Sequence, residues 1–364
     1  MPLFTAVPST MTTALQLNAR YKYQAAQADN TNAPKMTPTK TIAVYGATGA
    51  QGGAVARSLL QSTDGFHVRA LTRNRSSPKA QQLAHLGAEV IQADGFNQDE
   101  MRNALTGAWG FWLNTDHHDP AFPTADGIDD TIYGQTLISL AAELGVKVLI
   151  YSTCESSTEH SLGKAIVKGM DQKNKVFRYG ASQPGFDAVI GAIPGWYMEN
   201  FLSPEYAGCF GGFPLQSDAE GYLTFSSPRL GGPGEVPWID IEDDFGDIIH
   251  GLFLDPTSYH GQTVQCFSDT ITFEKLTETF AEVTGKKARF VPQAAPSDFP
   301  TYGVGALEEI RDIYAFTQHM GGNFFGHPNA IETSKELKKA SLKAKGQPDS
   351  KLITIREYFG KHFA

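Results

Sequence analysis

Short apolar runs alternate with amphipathic stretches through the first half of the chain. The runs predict five buried strands, at residues 41–45, 66–72, 88–92, 109–114 and 147–152. Apolar residues three and four positions apart predict helices between them, at residues 54–60, 78–86, 97–106 and 130–144. This alternation is typical of a doubly wound parallel sheet with helices on both faces, so we predict an α/β fold of the Rossmann type.

The second half of the chain has a more mixed pattern. It predicts strands at residues 186–193, 262–267 and 288–292, helices at 240–254, 273–284 and 307–320, and a glycine-rich turn at 321–327. Residues 203–237 are rich in Gly, Pro, Phe and Ser, which predicts long loops or short strands that shape a pocket or lid. We therefore predict a Rossmann domain over residues 39–195. We also predict a smaller mixed α+β lobe over residues 196–364, which binds a substrate or partner and is interleaved with the Rossmann sheet.

Residues 1–38 differ in composition from the rest of the chain. They are rich in Thr, Ala, Gln, Asn and Pro, contain Asp29 as their one acidic residue, and show no sustained apolar face. We predict a disordered extension. An organelle transit peptide is the alternative, because the segment is poor in acids and contains a few basic residues; Met36 is then a second candidate start.

Composition and charge exclude several classes of protein. The net charge of −9 argues against a surface that coats nucleic acid, and no stretch approaches the roughly 20 apolar residues of a membrane-spanning helix. Cys154, Cys209 and Cys266 are odd in number and lack metal-binding spacing, which favours a reducing compartment. We expect a cytoplasmic protein, with the nucleus as a second location, that is a monomer or homodimer and contacts neither membrane nor nucleic acid directly.

A glycine turn follows the first predicted strand. Gly46, Gly49 and Gly52 have G-x-x-G-x-x-G spacing and lead directly into a helix. Such a turn directs main-chain N–H groups and a helix N-terminus toward one point, where the pyrophosphate of a dinucleotide binds. The other residues of this predicted loop are Ala47, Thr48, Ala50 and Gln51.

The end of the second predicted strand distinguishes the two nicotinamide dinucleotides. An acidic residue there binds a free ribose 2′-hydroxyl, whereas arginine pairs with a 2′-phosphate. After Thr72 the chain offers no acid; the candidate phosphate ligands are Arg73, Asn74, Arg75, Ser76 and Ser77. We therefore predict NADP(H) rather than NAD(H), with a solvated basic loop as the alternative interpretation.

Two further strand ends supply candidate contacts to the same cofactor. Asp94 and Gly95 follow the third predicted strand, where the adenine is expected. Asn114 and Thr115 follow the fourth strand and are expected to border the ribose near the nicotinamide.

Several motifs together identify a family resemblance. The stretches are G-A-T-G-A-Q-G-G from Gly46, V-R-A-L-T-R-N from Val68, G-A-E-V-I-Q-A-D from Gly87, V-L-I-Y-S from Val148, M-D-Q-K from Met170, W-Y-M-E-N from Trp196 and V-P-W-I-D from Val236. From Thr41 onward the chain resembles the NmrA-like family of atypical short-chain dehydrogenases/reductases. This resemblance implies a Rossmann fold, NADP(H) binding and a C-terminal lobe that closes over the nicotinamide. The family includes redox sensors and transcriptional co-regulators as well as reductase-like proteins.

The resemblance also assigns residues to roles. It implies that the loop from Gly46 to Gly52 holds the pyrophosphate, that Arg73 and Asn74 hold the 2′-phosphate, and that Lys173 reaches the nicotinamide ribose. The segment implied to line the nicotinamide pocket comprises Trp196, Tyr197, Met198, Glu199 and Asn200.

The usual proton donor of short-chain dehydrogenases is missing. A tyrosine normally lies four residues before the lysine, but here Gly169 has that position, and no tyrosine occurs between Ser152 and Lys173. Lys173 could supply the proton itself if it is desolvated, or Tyr197 could approach from the next segment. Lys173 could equally serve only as a ribose anchor.

Two functions follow from these observations. The first is an NADP(H)-dependent oxidoreductase that acts on a small, apolar organic substrate, in secondary metabolism for example. The second is a sensor that binds NADP(H) without turnover and regulates a transcription factor or another protein partner.

Two polar clusters have less specific patterns. His117, His118 and Asp119 could bind a metal, but no further ligands have suitable spacing, so we interpret them as loop residues and predict no metal. The lysine-rich segment from Lys335 to Lys345 is interpreted as a solvated helix face rather than a nucleic-acid patch.

Overall fold

The computed structural model describes residues 39–116, 118, 119, 122, 129–231 and 235–364. The interpretation of residues 1–38 as a disordered extension or transit peptide, and that of His117, lie outside the described residues. Residues Lys40–Ala364 form one compact unit. In the part of the chain that the structure describes, no helix is both long and apolar enough to cross a membrane.

The first half of the described chain alternates strictly between strand and helix. Its elements are β1 (Lys40–Val44), α1 (Ala50–Leu60), β2 (Phe66–Thr72), α2 (Pro78–His85), β3 (Glu89–Gln92), α3 (Gln98–Leu105), β4 (Gly110–Leu113), α4 (Asp130–Glu143) and β5 (Val148–Ser152). The Asn97 side chain accepts hydrogen bonds from the N–H groups of Asp99 and Glu100 and so caps the start of α3.

The second half adds shorter strands and a helical C-terminus. Its elements are α5 (Ser157–His160), α6 (Lys168–Ser182), β6 (Ala188–Pro194), β7 (Trp196–Tyr197), α7 (Pro204–Cys209), β8 (Leu223–Pro228), β9 (Val236–Ile239), α8 (Gly246–Leu254), β10 (Thr263–Cys266), β11 (Asp269–Ile271), α9 (Phe273–Thr284), β12 (Ala288–Gln293), α10 (Gly305–His319), α11 (Ile331–Ala344) and α12 (Ile355–Phe363).

Seven parallel strands form the central sheet in the order β10-β6-β5-β4-β1-β2-β3. This doubly wound order confirms the predicted Rossmann-type fold. Because β10 pairs with β6, segments on both sides of residue 195 build the sheet. The boundary between two domains at that residue stays a prediction.

The sheet is buried on both faces, as a parallel sheet requires. Alternate residues of β1 enter different apolar clusters, with Ile42 and Val44 on one face and Ala43 on the other. The first cluster includes residues of α1 and α8, and the second includes residues of α4 and α6. The carboxyl ends of the strands therefore meet at one edge of a rigid layer, where ligands bind in this type of fold.

A third apolar cluster forms the C-terminal lobe and is dominated by aromatic rings. Phe201, Phe213, Trp238 and Phe359 are among its buried members, and the ring centroids of Phe201 and Trp238 are 4.9 Å apart. Much of the glycine- and proline-rich region at 203–237 is ordered here as α7, β8 and β9. Buried aromatic packing stabilises this segment, and its composition alone does not reveal that packing.

The prediction of a fully solvated lysine face on α11 is wrong for two lysines. Lys338 pairs with buried Asp244, and Lys345 pairs with Asp247; each of the two lysine side chains is 5% exposed. Both carboxylates belong to the segment that leads into and begins α8. Lys338 of α11 and Lys345, just after its end, therefore point inward because acidic partners on a distant segment neutralise them, whereas Lys335 and Lys339 stay exposed.

Candidate functional site

The glycine turn between β1 and α1 is tightly closed. Gly46 has a φ of +64°, in the region that favours glycine. A Cβ atom on Gly52 would lie 2.4 Å from the carbonyl oxygen of Gly46 and 2.8 Å from that of Tyr45. Gly49 caps α1 without a side-chain hydrogen bond, and the first turn of α1 contains no acidic residue. The N–H groups of Ala47 and Gly49 donate to the carbonyl oxygens of Leu71 and Gly46. Those of the first turn of α1 have no intrahelical acceptor, so this helix start is suited to an anion.

A cleft of about 520 Å³ opens beside this turn, at the carboxyl ends of β1, β2, β3 and β4. It brings together sequence-predicted residues from five segments: Gly46, Thr48, Gly49, Ala50, Gln51, Arg73, Asn74, Ser77, Asp94, Asn114 and Tyr197. Ala47 instead lines a neighbouring cavity together with Glu199. Gly52 packs closely against the main-chain carbonyl group of Gly46.

Arg73 projects into the cleft from the end of β2. Its side chain is 57% exposed, and its Nη1 atom lies 2.8 Å from Oδ2 of Asp119. Asn74 also lines the cleft, and its Oδ1 atom accepts a hydrogen bond from the N–H of Ser76. The guanidinium group is therefore available at the position where a 2′-phosphate is expected, but Asp119 competes for it.

The remaining residues of the predicted phosphate loop have different environments. Arg75 and Ser76 are exposed and do not line the cleft. Ser77 lines the cleft, but its hydroxyl accepts a hydrogen bond from the N–H of Ala80 and so caps α2. Arg73 and Asn74 are thus better placed for the phosphate than their neighbours.

An aromatic wall at the cleft was not found from the sequence. Phe96, Phe122 and Tyr133 all line the cleft, with ring centroids 4.5 to 5.4 Å apart. Beneath them, Gly95 leaves room for the hydroxyl of Tyr133, which would lie 1.8 Å from a Cβ at that position. Asp94 accepts a hydrogen bond from the N–H of Phe96. The position of Phe96 directly after Asp94 and Gly95 could have indicated that it lines the cleft. Tyr133 had no such signal, because it lies on α4, 38 positions after Gly95.

Lys173 lies beside the end of β4. Its Nζ atom donates hydrogen bonds to the carbonyl oxygen of Thr115, at 2.6 Å, and to its hydroxyl, at 3.2 Å. That hydroxyl also contacts the hydroxyl of Tyr151, at 2.9 Å. The Lys173 side chain is 13% exposed and lies 3.8 Å from Asp130. The lysine is thus anchored to the residue that follows Asn114; Asn114 lines the cleft, whereas Lys173 is not among the described residues that line it.

The position of the missing tyrosine is filled from another helix. A Cβ atom on Gly169 would lie 2.3 Å from Oε1 of Glu309, a residue of α10. Glu309 also lies 3.2 Å from Nε2 of His118. A tyrosine at position 169 would displace this carboxylate, so the departure from the usual pattern extends to the packing of the C-terminal lobe.

Tyr197 reaches the glycine turn from the other side. Its hydroxyl accepts a short hydrogen bond from the side-chain amide of Gln51. Burial raises the pKa of Tyr197 above its ordinary value. This environment disfavours the phenolate, so Tyr197 is suited to orient Gln51 and to donate its own proton only to a strongly basic atom.

The other residues of the predicted nicotinamide segment lie away from the cleft. Trp196 and Asn200 border a narrow apolar cavity in the C-terminal lobe, and Met198 is fully buried in the aromatic cluster. Tyr197 thus lines the cleft, while these three neighbours in the chain lie in the C-terminal lobe. Their assignment to the nicotinamide stays a prediction.

Glu199 forms an acidic pair with Asp240 beside α1. Its Oε1 atom accepts a hydrogen bond from the N–H of Glu242, while Oε2 has no hydrogen-bond partner among the described residues. Burial, followed by repulsion from Asp240, raises the pKa of Glu199 to about 7. Burial is also the largest cause that raises the pKa of Asp240, to about 6. The pair therefore destabilises the fold when both carboxyl groups are ionised.

This pair predicts a pH-dependent effect of Glu199→Gln. A carboxyl group whose pKa is raised on folding stabilises the fold fully below its unfolded pKa, and this contribution is lost as the pH rises through the folded value near 7. The difference in unfolding free energy between Glu199→Gln and wild type should therefore shift in favour of the variant by about 1–2 kcal/mol as the pH rises from about 5 to 8. Denaturant titrations at both pH values measure this gain.

A matched control separates this effect from the loss of any carboxylate. Glu332 is on α11, and its side chain is 77% exposed. Glu332→Gln should show no comparable change between the two pH values. An equal pH dependence in both variants would contradict the assignment to the Glu199–Asp240 pair.

No group of three or more His, Cys, Asp or Glu side chains within the described ranges is arranged to hold a metal ion. Of the sequence candidates, His118 pairs with Glu309 and Asp119 pairs with Arg73. His118 therefore connects the loop after β4 to α10, and Asp119 connects it to Arg73 in the cleft.

Comparisons with known proteins place the chain in a family. The model of the NmrA-like family matches residues 38–359. One relative, the NmrA-like family domain-containing oxidoreductase hkm9 of Aspergillus hancockii, is 45% identical over 328 residues, which are 89% of this chain and 97% of the relative. A second relative, the NmrA-like family domain-containing oxidoreductase lnaB of Aspergillus flavus, is 42% identical over 89% of this chain and 98% of the relative.

Solved structures share the fold at lower identity. NmrA, a negative transcriptional regulator crystallised with NADP, matches with a TM-score of 0.68 and 20% identity, over 90% of this chain and 96% of its own. A triphenylmethane reductase of Citrobacter sp., complexed with NADP(H), has a TM-score of 0.62 and 17% identity, over 89% of this chain and 99% of its own. From the family match and the close relatives together, the chain is a member of the NmrA-like family.

Proposed function

We propose that this protein is an NADP(H)-dependent oxidoreductase. The observation that carries the proposal is a single cleft that joins the closed glycine turn to Arg73, with Lys173 bonded to Thr115, the residue after Asn114 of the cleft wall. An anion-binding turn and a guanidinium group on neighbouring strands are the two contacts that a dinucleotide with a 2′-phosphate requires.

The described residues fit this cofactor along the whole cleft. The turn from Gly46 to Gly52 would hold the pyrophosphate, and Arg73 with Asn74 would hold the 2′-phosphate. The wall formed by Phe96, Phe122 and Tyr133 offers aromatic faces for the adenine. Lys173 and Asn114 would border the nicotinamide ribose. When bound, the cofactor supplies or accepts a hydride at its nicotinamide ring.

Lys173 is the residue best placed to act at the reacting end. Its ammonium group is held by Thr115 and faces the buried carboxylate of Asp130. It would donate a hydrogen bond to the ribose and place a positive charge near the substrate. Tyr197 would hold Gln51 and the glycine turn in position through the short hydrogen bond between them.

The names of related proteins support a redox reaction. Both fungal relatives are named oxidoreductases, and they share more than two fifths of their residues with this chain. Among the structural neighbours, one is an NADPH-dependent quinone oxidoreductase of Escherichia coli, at a TM-score of 0.57. We propose a small organic substrate for this chain as well.

A sensor without turnover is the second candidate, and Gly169 favours it. The tyrosine that usually supplies a proton is absent, and Glu309 occupies the space beside Gly169. A sensor would bind NADPH with no oxidation of it, and a regulatory partner would bind differently with and without the cofactor. We place either protein in the cytoplasm or nucleus as a monomer or homodimer.

Exchange of Arg73 tests the proposed cofactor. Arg73→Ala should weaken NADPH binding about tenfold, because charge-assisted hydrogen bonds to the 2′-phosphate are lost, and should barely change NADH binding. Isothermal titration with both cofactors measures the two dissociation constants.

Arg75→Ala is the matched control, because Arg75 is two residues away and exposed outside the cleft. It should leave both affinities close to those of wild type. Equal losses for NADPH and NADH in Arg73→Ala, or equal effects of the two arginines, would contradict the assigned phosphate site.

A further inference from the structure

The loop after β4 brings an acidic side chain to the proposed 2′-phosphate site. Oδ2 of Asp119 lies 2.8 Å from Nη1 of Arg73, and both residues line the cleft. The sequence has no acid directly after β2, where a carboxylate would bind a free ribose 2′-hydroxyl. The fold therefore supplies, from a different strand end, the acidic group that this position lacks in the sequence.

Asp119 is held in place by its own turn. Its main-chain N–H donates to the carbonyl oxygen of Asp116, and its carbonyl oxygen accepts from the N–H of Phe122, each at 3.0 Å. Phe122 belongs to the aromatic wall of the cleft. The Asp119 side chain is 20% exposed, whereas the Arg73 side chain is 57% exposed. The carboxylate is thus the more enclosed partner, and the guanidinium group reaches it from the end of β2.

Two other acids that line the cleft are directed elsewhere. The carboxylate of Asp94 accepts a hydrogen bond from the N–H of Phe96, and that of Asp116 accepts one from the N–H of His118. The side chain of Asp119 instead contacts the guanidinium group, and this hydrogen bond is the largest cause that raises the pKa of Arg73. Asp119 is therefore the acid that shares the 2′ position with Arg73.

The paired charges act in opposite directions on the two dinucleotides. A phosphate monoester carries a charge of about −1.5 to −2 near pH 7. A 2′-phosphate is attracted by Arg73, is repelled by Asp119, and has to compete with Asp119 for the guanidinium group. A 2′-hydroxyl is uncharged and donates a hydrogen bond to a carboxylate, so it can bind while the ion pair stays intact.

Resting on the proposed function, we propose that Asp119 is a specificity-determining residue that opens the cleft to NAD(H) as well as NADP(H). With NADPH, the 2′-phosphate takes over N–H groups of Arg73 from Asp119. With NADH, the ion pair of Arg73 and Asp119 persists, and Asp119 accepts a hydrogen bond from the 2′-hydroxyl. NADPH stays the preferred ligand, but by a smaller factor than Arg73 alone would give.

Exchange of Asp119 for a neutral residue tests this inference. Asp119→Asn should tighten NADPH binding about threefold, because the competitor for Arg73 is lost, and should weaken NADH binding about threefold. The ratio of the two affinities then changes about tenfold, with the two dissociation constants moving in opposite directions. Asp119→Ala should shift the ratio in the same direction, which excludes a new contact from the asparagine amide. Isothermal titration with both dinucleotides measures the four constants for each variant and wild type.

Asp99→Asn is the matched control, because Asp99 is exposed on α3 and is not among the described residues that line the cleft. It removes the same charge and should leave the ratio unchanged. Thermal unfolding identifies which variants are folded. If a folded neutral variant at position 119 keeps the wild-type ratio, or binds both dinucleotides more weakly, the inference is overturned and the proposed function remains. If the wild-type protein binds neither dinucleotide, the proposed function is overturned too.

Discussion

Lys173→Met should lower the turnover of NADPH with a carbonyl acceptor by about 100-fold or more, the range expected when a general acid or its charge is lost. The lysine is buried against Thr115 and Asp130, so no other described cation replaces it at this point. Methionine keeps most of the side-chain volume. The measurement is the steady-state rate of NADPH oxidation, with NADPH binding determined in parallel.

Lys175→Met provides the control on the same helix, because Lys175 is exposed. It should retain wild-type turnover. A loss of turnover in Lys173→Met with unchanged NADPH affinity would assign the lysine to the chemical step, whereas a matching loss of NADPH affinity would assign it to ribose anchoring. Unchanged turnover in Lys173→Met would remove Lys173 from the mechanism.

Gly52→Ala should weaken NADPH binding about 100-fold, because the added methyl group would overlap two main-chain carbonyl oxygens of the glycine turn. Neither oxygen can move without changing the conformation of Gly46, whose φ is already positive. The turn would open, and its N–H groups would lose their common direction. Isothermal titration with NADPH measures the loss.

Gly208→Ala is the matched control, since a Cβ at Gly208 meets no atom within 4 Å. It should bind NADPH like wild type. Thermal unfolding of both variants shows whether Gly52→Ala still folds. A folded Gly52→Ala protein with unchanged NADPH affinity would contradict the role of the turn.

The sequence was sufficient to predict the fold and the residues that meet in the cleft, because both depend on local patterns. A buried parallel strand has a continuous apolar run, and a glycine turn has a fixed spacing. The helix at 273–284 was predicted with the bounds of α9, since Thr272 caps its start and Gly285 ends it with a left-handed conformation. The Arg73 position followed from the end of β2 alone.

Contacts between distant segments were beyond the sequence patterns. Asp119 pairs with Arg73 across the cleft, and Glu309 occupies the space beside Gly169 from a helix more than a hundred residues away. Lys338 is buried only because Asp244 lies opposite it. The environment of each of these charged side chains depends on tertiary packing between distant segments. Local sequence patterns do not reveal that packing.

We propose that the cleft between the glycine turn and Arg73 binds a phosphorylated nicotinamide dinucleotide. Isothermal titration of the wild-type protein with NADPH and NADH under identical conditions tests it most directly. NADPH should bind with micromolar or tighter affinity, and about tenfold or more tightly than NADH. No binding of NADPH, or tighter binding of NADH, would contradict it.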